Sequence, residues 1–228
     1  MDARSFLSRI KLDVDAGAVR EAQQALWDVL DEAKKKSLPA TPSALDKLYL
    51  FKMPKLSPDG SCSLHDELDP TPYDLSRALG GRSSQTSFAL MTLRALVEAA
   101  FASTGVSWLG AYQARDGKLV KLAYCGDPSR AEFPLTEDFE QKSTNVRVAR
   151  SGVAAAIADV AAHQQTGGAY YECDPNVRSE LCIPLLDAAG KVTGIIDAEA
   201  RAVAHFTPQR SAMVAALALE ISSHLPPA

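Results

Sequence analysis

Glu180, Asp197 and Glu199 stand where one hairpin would gather three carboxyl groups on the same face of a sheet. SELCIPLL over 179–186 and KVTGIIDAEA over 191–200 read as strands joined by a turn at 187–190, and side chains on a strand alternate between its faces. Leu181, Ile183 and Leu185 then point toward a core while Glu180 and Cys182 point away, and Asp197 shares its face with Glu199. With the turn centred between Ala188 and Ala189, Glu180 lies directly opposite Asp197. Opposed residues sit about 5 Å apart at Cβ, where like charges repel and raise at least one carboxyl pKa. A carboxyl that keeps its proton near neutral pH is a usable general acid. The same spacing also fits acids that simply face water along an exposed sheet edge.

Trp108 and Tyr112, four apart on a predicted strand, share a face with Gly110 between them, which leaves room for a small or flat ligand. Aromatic walls beside carboxylates suit a cationic or amine-bearing small molecule; paired aromatics also serve as plain core packing. Cys173 lies in GGAYYECDPNVRSE, a loop with Gly167, Gly168 and Pro175, and that position favours an accessible thiol. Cys182 falls on the Glu180 face by strand parity. Cys125 at a strand end and Cys62 in a Pro- and Ser-rich stretch read as structural. No Cys-x-x-Cys or His-x-x-x-His pair marks a metal site, and none of the four histidines has a partner at triad spacing.

The elements that must position these groups follow from periodicity and caps. Residues 16–36 carry apolar side chains near helical spacing and end in a Lys run suited to the negative end of a helix dipole. Thr41 and Pro42 open a short helix over 42–52, and the Pro-, Ser- and Asp-rich stretch from 54 to 72 reads as a linker or surface loop. A long apolar helix is expected over 84–104. A hairpin follows over 106–125, turning at Asp116-Gly117. Residues 145–160 read as a strand passing into a short helix, and Thr207 with Pro208 caps a closing helix over 207–224. The fold class is α+β: an antiparallel sheet with flanking helices, preceded over residues 1–80 by a helical extension and linker.

The chain's 228 residues are 46% hydrophobic and 23% charged, the balance of a globular protein rather than a fibrous or disordered one. The net charge of -4 divides evenly, with 11 Lys+Arg against 13 Asp+Glu in residues 1–80 and 13 against 15 beyond. Neither part has the basic footprint of a nucleic-acid partner. The N-terminal MDARSFLSRIKLDVD scatters charge where a signal peptide is apolar, and nothing approaches the roughly 18 apolar residues of a spanning helix. A cytoplasmic protein with no membrane partner is expected.

Residues 106–224 resemble a GAF domain, and more narrowly the free methionine-(R)-sulfoxide reductases. VSWLGAYQ is similar to that family's Asn-Trp-x-Gly-x-Tyr strand, CDPNVRSELCIPLL to its Cys-Asp-(five residues)-Glu-(apolar)-Pro-Leu segment, and GIIDAEA to its Gly-Val-Leu-Asp-x-Asp. SGVAAAIADV resembles its Gly-Val-Cys-Gly helix and the Asp-Val that follows. The resemblance implies a GAF domain over 81–228, with its sheet and pocket over 106–200. It makes Cys173 the nucleophile, Glu180, Asp197 and Glu199 the substrate-binding acids, and Trp108 and Tyr112 the pocket walls. Glu199 replaces an aspartate.

Where that family has Gly-Val-Cys-Gly, this chain has Gly152-Val153-Ala154-Ala155, and the other usual resolving position falls near Ser143 to Asn145. Both usual resolving thiols are therefore missing, with Cys182 as a nearby substitute and Cys125 a more remote one. Two readings follow. One is a homodimeric module that binds or senses a small molecule such as an amino acid or sulfoxide. The other is a reductase that uses Cys173, Glu180 as acid, and Cys182 or an external thiol for resolution. The missing thiols tip the balance toward the binding module. Neither reading calls for a metal or bound cofactor; the enzyme would need a thiol reductant such as thioredoxin.

Overall fold

The computed structural model describes residues 1–38, 41–58, 60–62 and 64–227. In chain order α1 (Ala3–Ile10), α2 (Ala16–Lys34) and α3 (Pro42–Tyr49) precede four short strands, β1 (Leu50–Phe51), β2 (Pro54–Lys55), β3 (Leu64–Leu68) and β4 (Tyr73–Asp74), and one helical turn, α4 (Leu75–Ala78). Then come α5 (Ser84–Thr104), β5 (Trp108–Arg115), β6 (Lys118–Cys125), β7 (Glu132–Pro134), α6 (Glu137–Glu140), α7 (Thr144–Ser151) and β8 (Ala155–Ile157). The chain closes with α8 (Val160–Gln165), β9 (Ser179–Leu186), β10 (Val192–Ala200) and α9 (Pro208–Ser222).

Caps explain the helix ends. The Ser83 hydroxyl accepts the Thr86 amide while the Thr86 hydroxyl accepts the Ser83 amide, and Gly105 closes α5 at φ 64°. α1 has no counterpart among the expected helices, yet it carries a signal: Asp2 caps it, and Ala3, Phe6, Leu7 and Ile10 recur at helical spacing and are all buried. Residues 144–151 are helical where a strand was expected. Val146 and Val148 alternate like strand residues, but the Ser143 side chain accepts the Val146 amide and Gly152 ends the helix at φ 69°. The stretch from 54 to 72 is likewise more than a loop, because β2 pairs with β3 within it and β1 pairs with β4 at its two ends.

Six strands form one antiparallel sheet in the order β7-β6-β5-β10-β9-β8. Asp116 and Gly117, both at positive φ, turn β5 into β6. Alternation then sorts the side chains. Leu109, Ala111, Leu181, Ile183, Leu185, Ile196 and Ala198 join the core beneath α5 and α9, which also takes Phe6, Ile10, Val19, Leu26 and Leu30 from α1 and α2. The first two helices therefore share the core of the later domain. Trp108, Tyr112, Cys182 and Ile195 face the other way and are covered by α7, β7 and the loop around Tyr171. Both faces of the sheet are buried, which rules out an exposed edge for the acids. Among the described residues no helix is long and apolar enough to cross a membrane.

Candidate functional site

β9 and β10 meet in a register that sets Glu180 opposite Glu199 and Cys182 opposite Asp197, not Glu180 opposite Asp197. The difference has a local cause. The Asp187 carboxylate accepts the amides of Ala189 and Lys191, which lengthens the turn, and a bulge between Val192 and Gly194 adds one more residue. Parity survives the shift, so the three acids still share a face. Glu180 and Asp197 are 2% and 3% exposed, and Glu199 is partly exposed.

Few donors reach these carboxyls. Asn145 on α7 donates from Nδ2 to Asp197 Oδ2 at 2.9 Å. Among the described residues Glu180 Oε2, Asp197 Oδ1 and Asn145 Oδ1 are buried without a hydrogen-bond partner. Burial pushes the Asp197 carboxyl up to about 7, restrained by the Asn145 amide and the Ala198 N–H. Glu180 and Glu199 are driven well above the usual carboxyl range by burial and then by the charge of neighbouring acids. Burial thus pushes all three carboxyls toward their protonated forms. Cys182 lies among them: its sulfur and one oxygen each of Glu180 and Asp197 fall within 4.8 Å of one another. Such a set has the atoms of a small cation site, but burial raises all three pKa values, and metal binding needs the deprotonated forms.

Trp108 and Tyr112 do share a face, with ring centroids 6.2 Å apart. The Trp108 indole N–H donates to Asp127 O at 3.1 Å and the Tyr112 hydroxyl to Arg130 O at 3.3 Å. The space above Gly110 is not open for a ligand, because the Trp108 ring folds over it and would overlap a Cβ at that position. The glycine serves the indole's placement.

Lys121 is a part of this region that its sequence context hides. Within LVKLAYC it alternates like a solvent-facing residue, yet it is 0% exposed. Its Nζ donates to Ser129 O at 2.7 Å and Ser129 Oγ at 2.8 Å and lies 4.1 Å from the Tyr124 ring centroid and 5.8 Å from that of Trp108. Burial lowers its ammonium to about 7. An ammonium whose folded pKa lies below its unfolded value of 10.5 weakens the fold below pH 7, and the loss is recovered as pH rises from 7 toward 10.5. Lys121→Met is expected to make the slope of urea midpoint against pH more negative than in wild type between pH 7 and 9.5; an unchanged slope would count against it.

Cys173 and Cys62 are in contact. Their sulfurs are 2.8 Å apart across 111 positions of sequence, and both are free thiols. Cys62, expected to be a structural thiol of the linker, is 3% exposed, and Cys173 is only half-accessible. The contact is held from both sides. Tyr171, two residues before Cys173, donates its hydroxyl to Gly60 O at 2.6 Å. Arg130 donates to the same carbonyl and to the Tyr171 hydroxyl, its guanidinium 5.3 Å from the Tyr171 ring centroid. The Cys173 thiol lowers Cys62 to about 7, with help from Tyr171, Arg130 and Lys121. Cys173 moves well upward, through the Cys62 contact first, then burial and the charge of Glu199. One proton serves both sulfurs when the pair is ionised. Cys125 sits on the helical face of the sheet, raised by burial.

Space around these groups is uneven. Cys173, Glu199 and Trp108 line one cleft of about 20 Å³, and Asn145, Glu180, Glu199 and Tyr170 line another of about 10 Å³. Each admits about one water molecule. An open groove of about 580 Å³, lined by Cys62, Cys173, Phe139, Tyr171 and Pro175, leads to the two thiols from outside.

The GAF domain family model matches residues 89–225, and the chain belongs to that family. No curated protein matches it in sequence. The type II free methionine-R-sulfoxide reductase of Thermoplasma acidophilum superposes with a TM-score of 0.54 at 21% identity, over 61% of this chain and 94% of that one. The free methionine-R-sulfoxide reductase of Neisseria meningitidis, solved with its substrate, gives 0.51 at 18% identity over 76% and 95%. A GAF domain from an Acinetobacter phosphoenolpyruvate-protein phosphotransferase gives 0.50 at 13% over 65% and 86%. These likenesses establish the fold, a GAF sheet with flanking helices, which reductases and other GAF proteins share.

Proposed function

We propose that this GAF protein is a thiol-dependent reductase of a small, amine-bearing sulfoxide, with free methionine-(R)-sulfoxide as the substrate. The observation that carries the reading is the convergence of Cys173 with Glu199 in one cleft, backed by Glu180 and Asp197 on the same buried face. Substrate identity and the R configuration are taken from the two reductases that share the fold.

The chemistry follows from which groups hold charge. Asp197, whose ionised form the Asn145 amide favours, suits an incoming ammonium, and an ammonium would in turn satisfy buried oxygens that now lack partners. A glutamate whose protonated form is favoured by burial, Glu180 or Glu199, donates toward the sulfoxide oxygen. The Cys173 sulfur attacks the sulfoxide sulfur, its thiol proton replaces the one the glutamate gave up, and the S–O bond breaks. Oxygen ends as the hydroxyl of a Cys173 sulfenic acid, two electrons pass to the substrate sulfur, and the thioether leaves. Trp108 and Tyr112 supply the apolar wall for the methylthio group. Clefts this small require the Tyr170–Cys173 segment to shift as substrate enters.

In sequence, the missing usual resolving thiols favour a binding module without turnover; Cys62 beside Cys173 supports turnover instead. The test is methionine formation from the free (R)-sulfoxide with dithiothreitol, against the (S) epimer as control. Methionine from the (R) form alone is expected. No methionine even at one equivalent per chain would overturn the reading.

A further inference from the structure

The tip of the segment before β3 is shaped to deliver one side chain. Ser57, Gly60 and Ser61 are tied to one another, with Gly60 N–H donating to Ser57 O at 2.8 Å and Ser57 N–H to Ser61 O at 2.9 Å. Arg130 and Tyr171 both bind Gly60 O, so this tip is fastened to the loop that carries Cys173. Cys62 emerges from it onto the Cys173 sulfur. The other two thiols are placed differently, Cys182 among the acids and Cys125 on the helical face.

We infer that Cys62, supplied from outside the family-matched region, is the thiol that resolves oxidised Cys173 by forming a Cys62–Cys173 disulfide. The inference rests on the reductase reading for its oxidant. The Cys62 sulfur attacks the sulfur of the Cys173 sulfenic acid, the S–S bond forms, and the S–O bond breaks. The oxygen leaves as water with the proton from Cys62. An external dithiol of the thioredoxin class then returns both cysteines to thiols and is itself oxidised. Arg130 and Lys121 favour the thiolate at Cys62, the form that attacks. Arg130 is a positioning residue: it holds the tip rather than touching substrate.

The test compares wild type with Cys62→Ser. One equivalent of hydrogen peroxide, which turns a thiol into a sulfenic acid with release of water, replaces the sulfoxide, so this arm does not depend on the substrate. Wild type is expected to lose two free thiols and to give a peptide pair joined at 62 and 173. Cys62→Ser is expected to lose one thiol and to label with dimedone at 173. With the free (R)-sulfoxide and a thioredoxin-class protein, Cys62→Ser should still release its first methionine per chain, then turn over about 100-fold more slowly. A disulfide to Cys182 or Cys125, or wild-type turnover by Cys62→Ser, overturns the inference. Should wild type reduce no sulfoxide while peroxide still joins 62 to 173, the reductase reading fails and the thiol pair stands.

Discussion

Cys173→Ser is expected to form no methionine from the free (R)-sulfoxide, a loss on the order of 10⁴-fold or more in turnover. A serine hydroxyl is far less acidic and far less nucleophilic toward sulfur than a thiol. The variant should fold, because the position is half-accessible and the change is nearly isosteric. Its Cys62 thiol also gains a diagnostic property. Without the Cys173 thiol as its principal stabilising contact, Cys62 should titrate above about 7 by ultraviolet thiolate absorbance. Residual activity within tenfold of wild type would move the nucleophile elsewhere.

The buried acids give the second large effect. A carboxyl whose folded pKa exceeds its unfolded value binds its proton more tightly in the native state, so it stabilises at low pH and loses that contribution as pH rises. For Asp197 the window runs from 3.8 to about 7, and a three-unit shift corresponds to on the order of 4 kcal/mol. Glu180 and Glu199, also raised by burial, add with the same sign. Urea midpoints should therefore fall from pH 4.5 to pH 7.5. Asp197→Asn, which keeps an oxygen for the Asn145 amide, should be more stable than wild type at pH 7.5 and lose much of the slope. It should also weaken binding of the amine substrate by about 100-fold, as expected when a buried charge loses its partner. A flat wild-type profile would remove the case for protonated acids in the site.

How much of this was readable in the chain depends on the range of each interaction. Strand parity is local, so Glu180, Asp197, Glu199, Trp108 and Tyr112 could be assigned to one face without knowing the fold. The pairing partner could not, because a bulge at Val192 and a longer turn at Asp187 decide it. α7 was misread because its two buried valines mimic a strand and the deciding signals are a Ser143 cap and a glycine end. Cys62 and Lys121 were beyond local reading. Their surroundings come from segments far away in sequence, and neither residue type nor spacing announces that a linker thiol or a strand lysine will be buried.

The separation of Cys62 from Cys173 has a thermodynamic side. A covalent link across 111 positions removes much of the freedom of the denatured chain, worth about 4–5 kcal/mol for a loop near a hundred residues in the chain-entropy model. The proposed disulfide form would thus differ from the reduced one in resistance to unfolding as well as in reactivity. On the proposed reductase cycle, molecules halted after one turnover for want of electrons would gather in the sturdier form, and their melting temperature would gauge how far the supply had fallen behind.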